Sequence, residues 1–180
     1  MSGCERKTMW RLSVVLSVFL LCIASIANAS PEQEAGRILK LSGVRGGLVV
    51  HVGCGDGKLT EALQVSDRLL VHGLDKDPRD VARARKYITS NGEYGKVSVE
   101  TWRGGKLPYL DNLVDLLVVE DDDALSRDEM MRVLAPHGVI CVKKNGRWTK
   151  TVKPWPKEID EWTHWLHGPD NNAVSDDTRV

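Results

Sequence analysis

From Gly47 to Leu63 the chain reads GLVVHVGCGDGKLTEAL: an apolar stretch, a loop with glycine at every second position (Gly53, Gly55, Gly57), then the start of a helix. No other feature restricts the fold as strongly. Glycine takes backbone angles that other residues resist, and it lets the main chain come within contact distance of a ligand at a helix N-terminus. A single glycine motif is weak, but this one has a companion. About twenty residues on, Leu69–Leu74 (LLVHGL) is a second apolar stretch ending in Asp75. Nucleotide-binding folds place there the carboxylate that accepts hydrogen bonds from ribose hydroxyls.

The rest of the chain continues the alternation. Pro31–Leu41 carries Ala35, Ile38 and Leu39 at helical spacing, and Gly43 to Gly47 ends it. A helix is expected over Lys58–Val65. Asp77-Pro78 starts another, as an N-cap followed by proline at the first helical position, and Asn91-Gly92 stops it. Val97–Trp102 reads as a third strand, and Ala124–Leu134 as a further helix. Leu116–Val119 is apolar at every position, the pattern of a central parallel strand buried on both faces. Such alternation predicts an α/β fold with a doubly wound, mostly parallel sheet, whose ligand crevice lies outside the carboxyl ends of the strands. The crevice then gathers His51–Gly57, Asp75–Asp77, Arg103–Lys106 and Glu120–Asp122. The ligand-binding candidates are His51, Gly53, Cys54, Gly55, Gly57, Asp75, Lys76 and Glu120.

In this order the pieces resemble the class I S-adenosyl-L-methionine (SAM) dependent methyltransferases. The G-x-G-x-G spacing at Gly53, Gly55 and Gly57 matches their first motif and differs from the G-x-G-x-x-G of dinucleotide dehydrogenases, which makes a nicotinamide enzyme a distant third reading. LLVHGLDKDP supplies the second strand with its acid, VDLLVVED (Val114–Asp121) the fourth strand, and MRVLAPHGVICVKK (Met131–Lys144) the helix, turn and fifth strand. The resemblance covers about Gly36 to Lys144. It implies a Rossmann-like fold, SAM as cofactor, and methyl transfer to an acceptor that the sequence does not name. Because the sulfonium is already a strong electrophile and positioning supplies much of the rate, no single catalytic residue is readable. Three positions depart from the family. His51 stands where an acid usually meets the amino-acid end of SAM, although an imidazole can still hydrogen bond to an ammonium or carboxylate. Gly104 and Gly105, in WRGGKLPYL, stand where an acid or amide meets the adenine. The Asn-Pro-Pro-Tyr motif of nitrogen methylation does not follow strand four. The alternative is a catalytically inactive Rossmann-like module with a docking or structural role.

The N-terminus sets an expected compartment. Arg6, Lys7 and Arg11 precede an apolar run, Leu12–Ile26, that ends in Ala27-Asn28-Ala29 before Ser30-Pro31, the form of a cleaved secretory signal. The run is shorter than the ~20 residues that span a bilayer, so no stable membrane span is expected after cleavage. Cys22 suggests a lipoprotein, but Leu21 precedes it where such signals carry a small residue. The expected product is exported, periplasmic or extracellular, and an exported SAM enzyme needs a supply of a cofactor made in the cytosol. Without residues 1–29 the net charge is about −2, which gives no footprint for nucleic acid. The remaining length suits one core. Cys54 and Cys141 make no disulfide framework, and strand four should separate them.

Two other groups suggest metals and have simpler readings. Glu120-Asp121-Asp122-Asp123 presents adjacent carboxylates that point in different directions and precede a helix, whose dipole they would serve. His164 and His167, near Asp170, have i, i+3 spacing but no nearby cysteine to complete a zinc set; no metal is expected. From Trp148 the alternation is expected to stop, with the domain running from residue 30 to 146 and without the helix and final strand hairpin of the family. The tail, 147–180, carries Trp148, Trp155, Trp162 and Trp165. Within it DEWTHWLHGPDNNAVSDDT (Asp160–Thr178) resembles the opening segment of secreted pyrroloquinoline-quinone-like β-propellers. A propeller needs several blades, so the resemblance implies a fragment or truncated product.

Overall fold

The computed structural model describes residues 29–157 apart from residue 122, and residues 165, 174, 175, 177 and 178. Residues 1–28, nearly all of the expected signal, and nearly all of the segment expected to resemble a propeller entry, with His164, His167 and Asp170, lie outside the described residues. Contacts divide the chain into Met1–Ser30 and Pro31–Val180, and the second unit carries every element below.

Ten elements follow in chain order: α1 Pro31–Ser42, β1 Gly47–Val52, α2 Lys58–Ala62, β2 Leu69–Asp75, α3 Pro78–Ser90, β3 Val97–Thr101, β4 Val114–Val119, α4 Arg127–Val133, β5 Leu134–Lys144 and β6 Arg147–Val152. The six strands form one sheet in the order β3-β2-β1-β4-β5-β6. All neighbours are parallel except β5 and β6. The chain steps outward from β1 to β3, then returns to the other side of β1 with β4. That reversal opens a crevice between the carboxyl ends of β1 and β4.

The buried apolar strand residues divide between two cores. Val49, Val71, Leu116, Val118 and Cys141 pack against α1, α2 and α3. Val50, Val52, Leu117, Val119, Ile140 and Val142 pack on the other face, with Met130 and Val133 of α4 and with Trp102 and Leu107 from the β3–β4 connection. This is why β4 is apolar from Leu116 to Val119: both its faces are buried there. Cys54 and Cys141 are free and buried, with β4 between their strands as the spacing implied.

Helix ends follow local chemistry. The Asp77 carboxylate accepts the Arg79 N–H at 2.9 Å ahead of α3, with Pro78 at the first position. The Ser126 hydroxyl accepts the Glu129 N–H at 3.2 Å, so α4 begins at Arg127 and not at Ala124. The acids before it therefore lie outside the first turn. Asp121 instead folds the connection, its carboxylate accepting the Asp123 N–H at 3.2 Å. Among the described residues no cluster of His, Cys, Asp and Glu is arranged for a metal. No described helix is long and apolar enough to cross a membrane.

The sheet does not end at Gly146, a correction to the boundary inferred from sequence. Asn145 and Gly146 take positive φ angles of 50° and 75°, a two-residue hairpin turn of the kind Asn-Gly favours. Arg147–Val152 then runs back along β5 from Lys144↔Arg147 to Val139↔Val152. Trp148 secures the new strand by packing against the α1 core and donating from Nε1 to Glu34 Oε1 at 3.0 Å. One antiparallel strand thus follows β5 directly, without the intervening helix expected of the family.

Candidate functional site

The loop after β1 is built from glycines with different duties. Gly53, Gly55 and Gly57 all have positive φ, 86°, 52° and 82°. A Cβ at Gly57 would lie 2.7 Å from Ala84 Cβ, so this glycine lets α2 approach α3. A Cβ at Gly53 would lie 3.3 Å from Glu120 Cβ. One at Gly55 would meet nothing within 4 Å, so Gly55 faces open space, the room that a ligand approaching the main chain requires. The loop is tied to β2: Gly53 N–H donates to Leu74 O at 2.8 Å and Cys54 N–H to the same oxygen at 3.2 Å. Asp75 completes the tie, one carboxylate oxygen accepting Gly55 N–H at 2.8 Å and the other Asp77 N–H at 3.0 Å. A carboxylate oxygen has two acceptor sites, so each retains one for a ribose hydroxyl.

On the other side of the loop His51 is 1% exposed. Its Nδ1 lies 2.9 Å from Thr60 Oγ1 on α2. Its Nε2 is buried without a hydrogen-bond partner among the described residues. The nearest carboxylate oxygen, Glu120 Oε1, is 3.7 Å away, beyond hydrogen-bonding distance. An unpaired buried polar atom costs about 1–3 kcal/mol, so Nε2 is a position where a bound group has something to gain. Glu120 is itself held in place, with Oε2 3.6 Å from Lys143 Nζ, and Lys143 reaches Glu34 Oε1 at 2.8 Å. The His51 imidazole, followed by Lys143, holds the Glu120 carboxyl below its ordinary range despite burial. The result is an anionic carboxylate at the crevice wall, next to a buried imidazole nitrogen.

The other sequence candidates divide. Lys76 sits with Nζ 5.5 Å from the centre of the Trp102 ring, and Trp102 Nε1 donates to Lys106 O at 3.0 Å, so the loops after β2 and β3 close one flank. Gly104 and Gly105 both have positive φ there. The Cys54 side chain belongs to the core and not to the crevice. Burial, then the Asp75 charge, pushes its thiol up to about 12, and its N–H is spent on Leu74, which leaves Cys54 a structural part of the loop. Sequence reasoning missed Thr60, Lys143, Glu34 and Trp148. Thr60 lies one helical turn beyond the glycine loop, a signal that was readable. The Glu34 contacts join residues more than a hundred positions apart and leave no local trace.

A parallel sheet reversing at β1, a glycine loop held by the acid of β2, and a second acid at the end of β4 are the features of an α/β domain of the methyltransferase kind. The family described as "Methyltransferase domain" matches residues 49–138, half of the chain, and the protein belongs to that family. Solved structures share the fold. A SAM-dependent methyltransferase from Aquifex aeolicus superposes with a TM-score of 0.54 at 23% identity, over 61% of this chain and 62% of that one. Geranyl diphosphate C-methyltransferase from Streptomyces coelicolor A3(2), in complex with Mg2+, geranyl diphosphate and S-adenosyl-L-homocysteine (SAH), gives 0.55 at 15%, over 61% and 44%. The [4+2]-cyclase SpnF gives 0.56 at 22%, over 63% and 46%. The chain thus spans about half the length of the cyclase and of the geranyl diphosphate enzyme, and 62% of the Aquifex enzyme. No curated protein matches it in sequence.

Proposed function

We propose that this domain binds SAM, or its product SAH, across the carboxyl ends of β1, β2 and β4, and transfers the methyl group to an acceptor outside the cytosol. The observation that carries the reading is the pairing of open space over Gly55 with a buried, unpartnered His51 Nε2 beside the Glu120 carboxylate. Asp75 would hold the ribose hydroxyls with its remaining acceptor sites, and the glycine loop would lie against the ligand. His51 and Glu120 would take the ammonium of the amino-acid end, which has several N–H donors to share between the ring nitrogen and the carboxylate. Glu120 then supplies the negative charge that the family usually carries at the position of His51. When bound, SAM supplies an electrophilic methyl group on a sulfonium. The chain's own part is to fix the nucleoside through Asp75 and the amino-acid end through His51 and Glu120.

Calorimetric titration of the chain from Ser30 with SAH and with SAM tests this, with saturable one-to-one binding expected. No heat with either ligand, from a protein with a cooperative melt, overturns it. The loss of the family acid at His51 favours a second reading, a non-catalytic docking module of an exported protein. That reading expects no adenosyl binding and no methyl transfer. Export is tested by N-terminal sequencing of secreted protein, which should begin at Ser30.

A further inference from the structure

The sheet ends on a strand whose outer edge has no partner among the described residues: β6 is outermost, beside β5. Lys153 N–H donates to Gly138 O at 2.9 Å, and Lys153 O accepts His137 N–H at 3.0 Å, so residue 153 turns its backbone toward β5. By the alternation of an antiparallel pair, Arg147, Thr149 and Thr151 do the same. Trp148, Lys150 and Val152 therefore direct their N–H and C=O groups away from the sheet. We propose that this edge receives an extended acidic segment of a partner protein as an added strand. The proposal is independent of the reading of the crevice.

Three observations select this partner. First, the edge is accessible: Arg147, Thr149 and Lys150 are exposed, and Val152 is 44% exposed. Second, the charge has one sign. Residues 143–157 hold Lys143, Lys144, Arg147, Lys150, Lys153 and Lys157 and contain no Asp or Glu. Lys143 is matched by Glu34 and Glu120, whereas the Lys150 ammonium donates to a neutral carbonyl, Ser42 O, at 2.8 Å. Among the described residues neither Arg147 nor Lys150 pairs with a carboxylate. Lysine on an edge keeps like edges apart, so the same charge disfavours β6 of a second copy and favours an acidic strand. Third, the side chains set a pattern. Trp148 packs on the α1 core, Lys150 reaches the end of α1, and Val152 follows them on that face, opposite Val139. Cross-strand neighbours on one face touch, so the complementary segment carries an acid with an apolar residue two positions away on either side.

The probe is a fluorescein-labelled peptide, Glu-Val-Thr-Glu-Thr-Val-Glu, titrated with the full chain at low salt and followed by anisotropy. Saturable one-to-one binding is expected, weakening as salt screens the charges. The same peptide with lysine for each glutamate should not bind. A fully N-methylated version should not bind either, because it has no N–H groups to give to the edge. Lys150→Glu should weaken the acidic peptide about tenfold, exchanging an attractive cross-strand pair for a repulsive one. Lys150→Pro removes one outward N–H and no bond to β5, and it should weaken the peptide as well. Absence of binding, or equal binding of the lysine or the N-methylated peptide, overturns the proposal. A dimer of the full chain that Lys150→Pro dissociates overturns it in favour of a second copy. If the variants fail to fold, the lysine and N-methylated peptides decide on the parent protein alone.

Discussion

The carboxylate of Asp75 accepts the Gly55 N–H at 2.8 Å, fastening the tip of the glycine loop to the end of β2. The acid is therefore structural before any ligand arrives: it sets where the loop stands, and its other oxygen sets the start of the next connection through Asp77. Asp75→Ala should weaken SAH by about 1–3 kcal/mol, the cost of losing hydrogen bonds to a charged acceptor, or about fivefold to 150-fold in Kd. Asp75→Asn can keep one backbone contact but not both, because its amide nitrogen only donates, and should fall between. Titration of the two variants checks this, and equal affinity in all three proteins would put the ligand elsewhere.

His51 is predicted to matter for the ligand more than for the fold. His51→Leu removes one unpaired buried nitrogen but leaves the buried Thr60 hydroxyl without its contact at 2.9 Å, two opposing effects of about 1–3 kcal/mol each. His51→Leu should keep its melting temperature within a few degrees. It should lose the preference for SAH over 5′-methylthioadenosine, which lacks the amino-acid end. A variant that binds both ligands as the parent does would remove His51 from the site.

Much of this was legible in the sequence, for reasons that are local. The glycine loop, the acid of β2 and the Asp77-Pro78 helix start depend on neighbours in the chain, and the apolar run Leu116–Val119 of β4 announces burial on both faces by itself. Cys54 misled because a residue between two ligand-facing glycines need not face the ligand: its side chain fills the core beneath the loop, next to Gly73. The edge strand β6 was missed although Asn145-Gly146 is a hairpin signal, since RWTKTV shows a partly buried residue only at every third position, Trp148 and Thr151, and no strand alternation. The Glu120–Lys143–Glu34 line was invisible because tertiary structure alone brings those residues together.

Acid should destabilise the protein partly through Glu120. Its folded pKa lies below the ordinary 4.5, held there by His51 and then Lys143. The carboxylate's contribution is therefore complete above about pH 4.5 and is lost as pH falls through the depressed folded value. Glu129, held low by Arg132 and by the Leu107 N–H, adds loss in the same direction. Glu120→Gln should flatten the acid limb of a plot of stability against pH, measured by urea unfolding between pH 7 and pH 3. An unchanged slope would mean that the pairing with His51 and Lys143 carries no stability.

The thiols of Cys54 and Cys141 should be inert in the folded protein. Burial raises Cys54 to about 12, with Asp75 adding to it, and raises Cys141 to about 11. Thiol reagents attack the thiolate, so at pH 8 neither residue should be labelled on a timescale of minutes, and both should react once the chain is unfolded in urea. Rapid labelling of Cys54 alone would show that the glycine loop opens from Leu74.

The glycines two residues apart should fail in opposite ways. Gly57→Ala brings a Cβ to 2.7 Å from Ala84 Cβ and 2.9 Å from its Cα. That contact joins α2 to α3 through backbone that cannot yield cheaply, and at φ 82° a side chain adds strain. Overpacking of this kind costs about 1–3 kcal/mol, so Gly57→Ala should melt several degrees lower, with ligand affinity reduced only as far as the loop shifts. Gly55→Val meets no protein atom within 4 Å and carries only the strain of its φ, 52°. Its melting temperature should fall less, while SAH binding should fall more than in Asp75→Ala, because the isopropyl group occupies the space against which the ligand lies. Melting curves and SAH titrations of both variants separate the two roles; a Gly55→Val protein that binds normally would leave that space without a ligand.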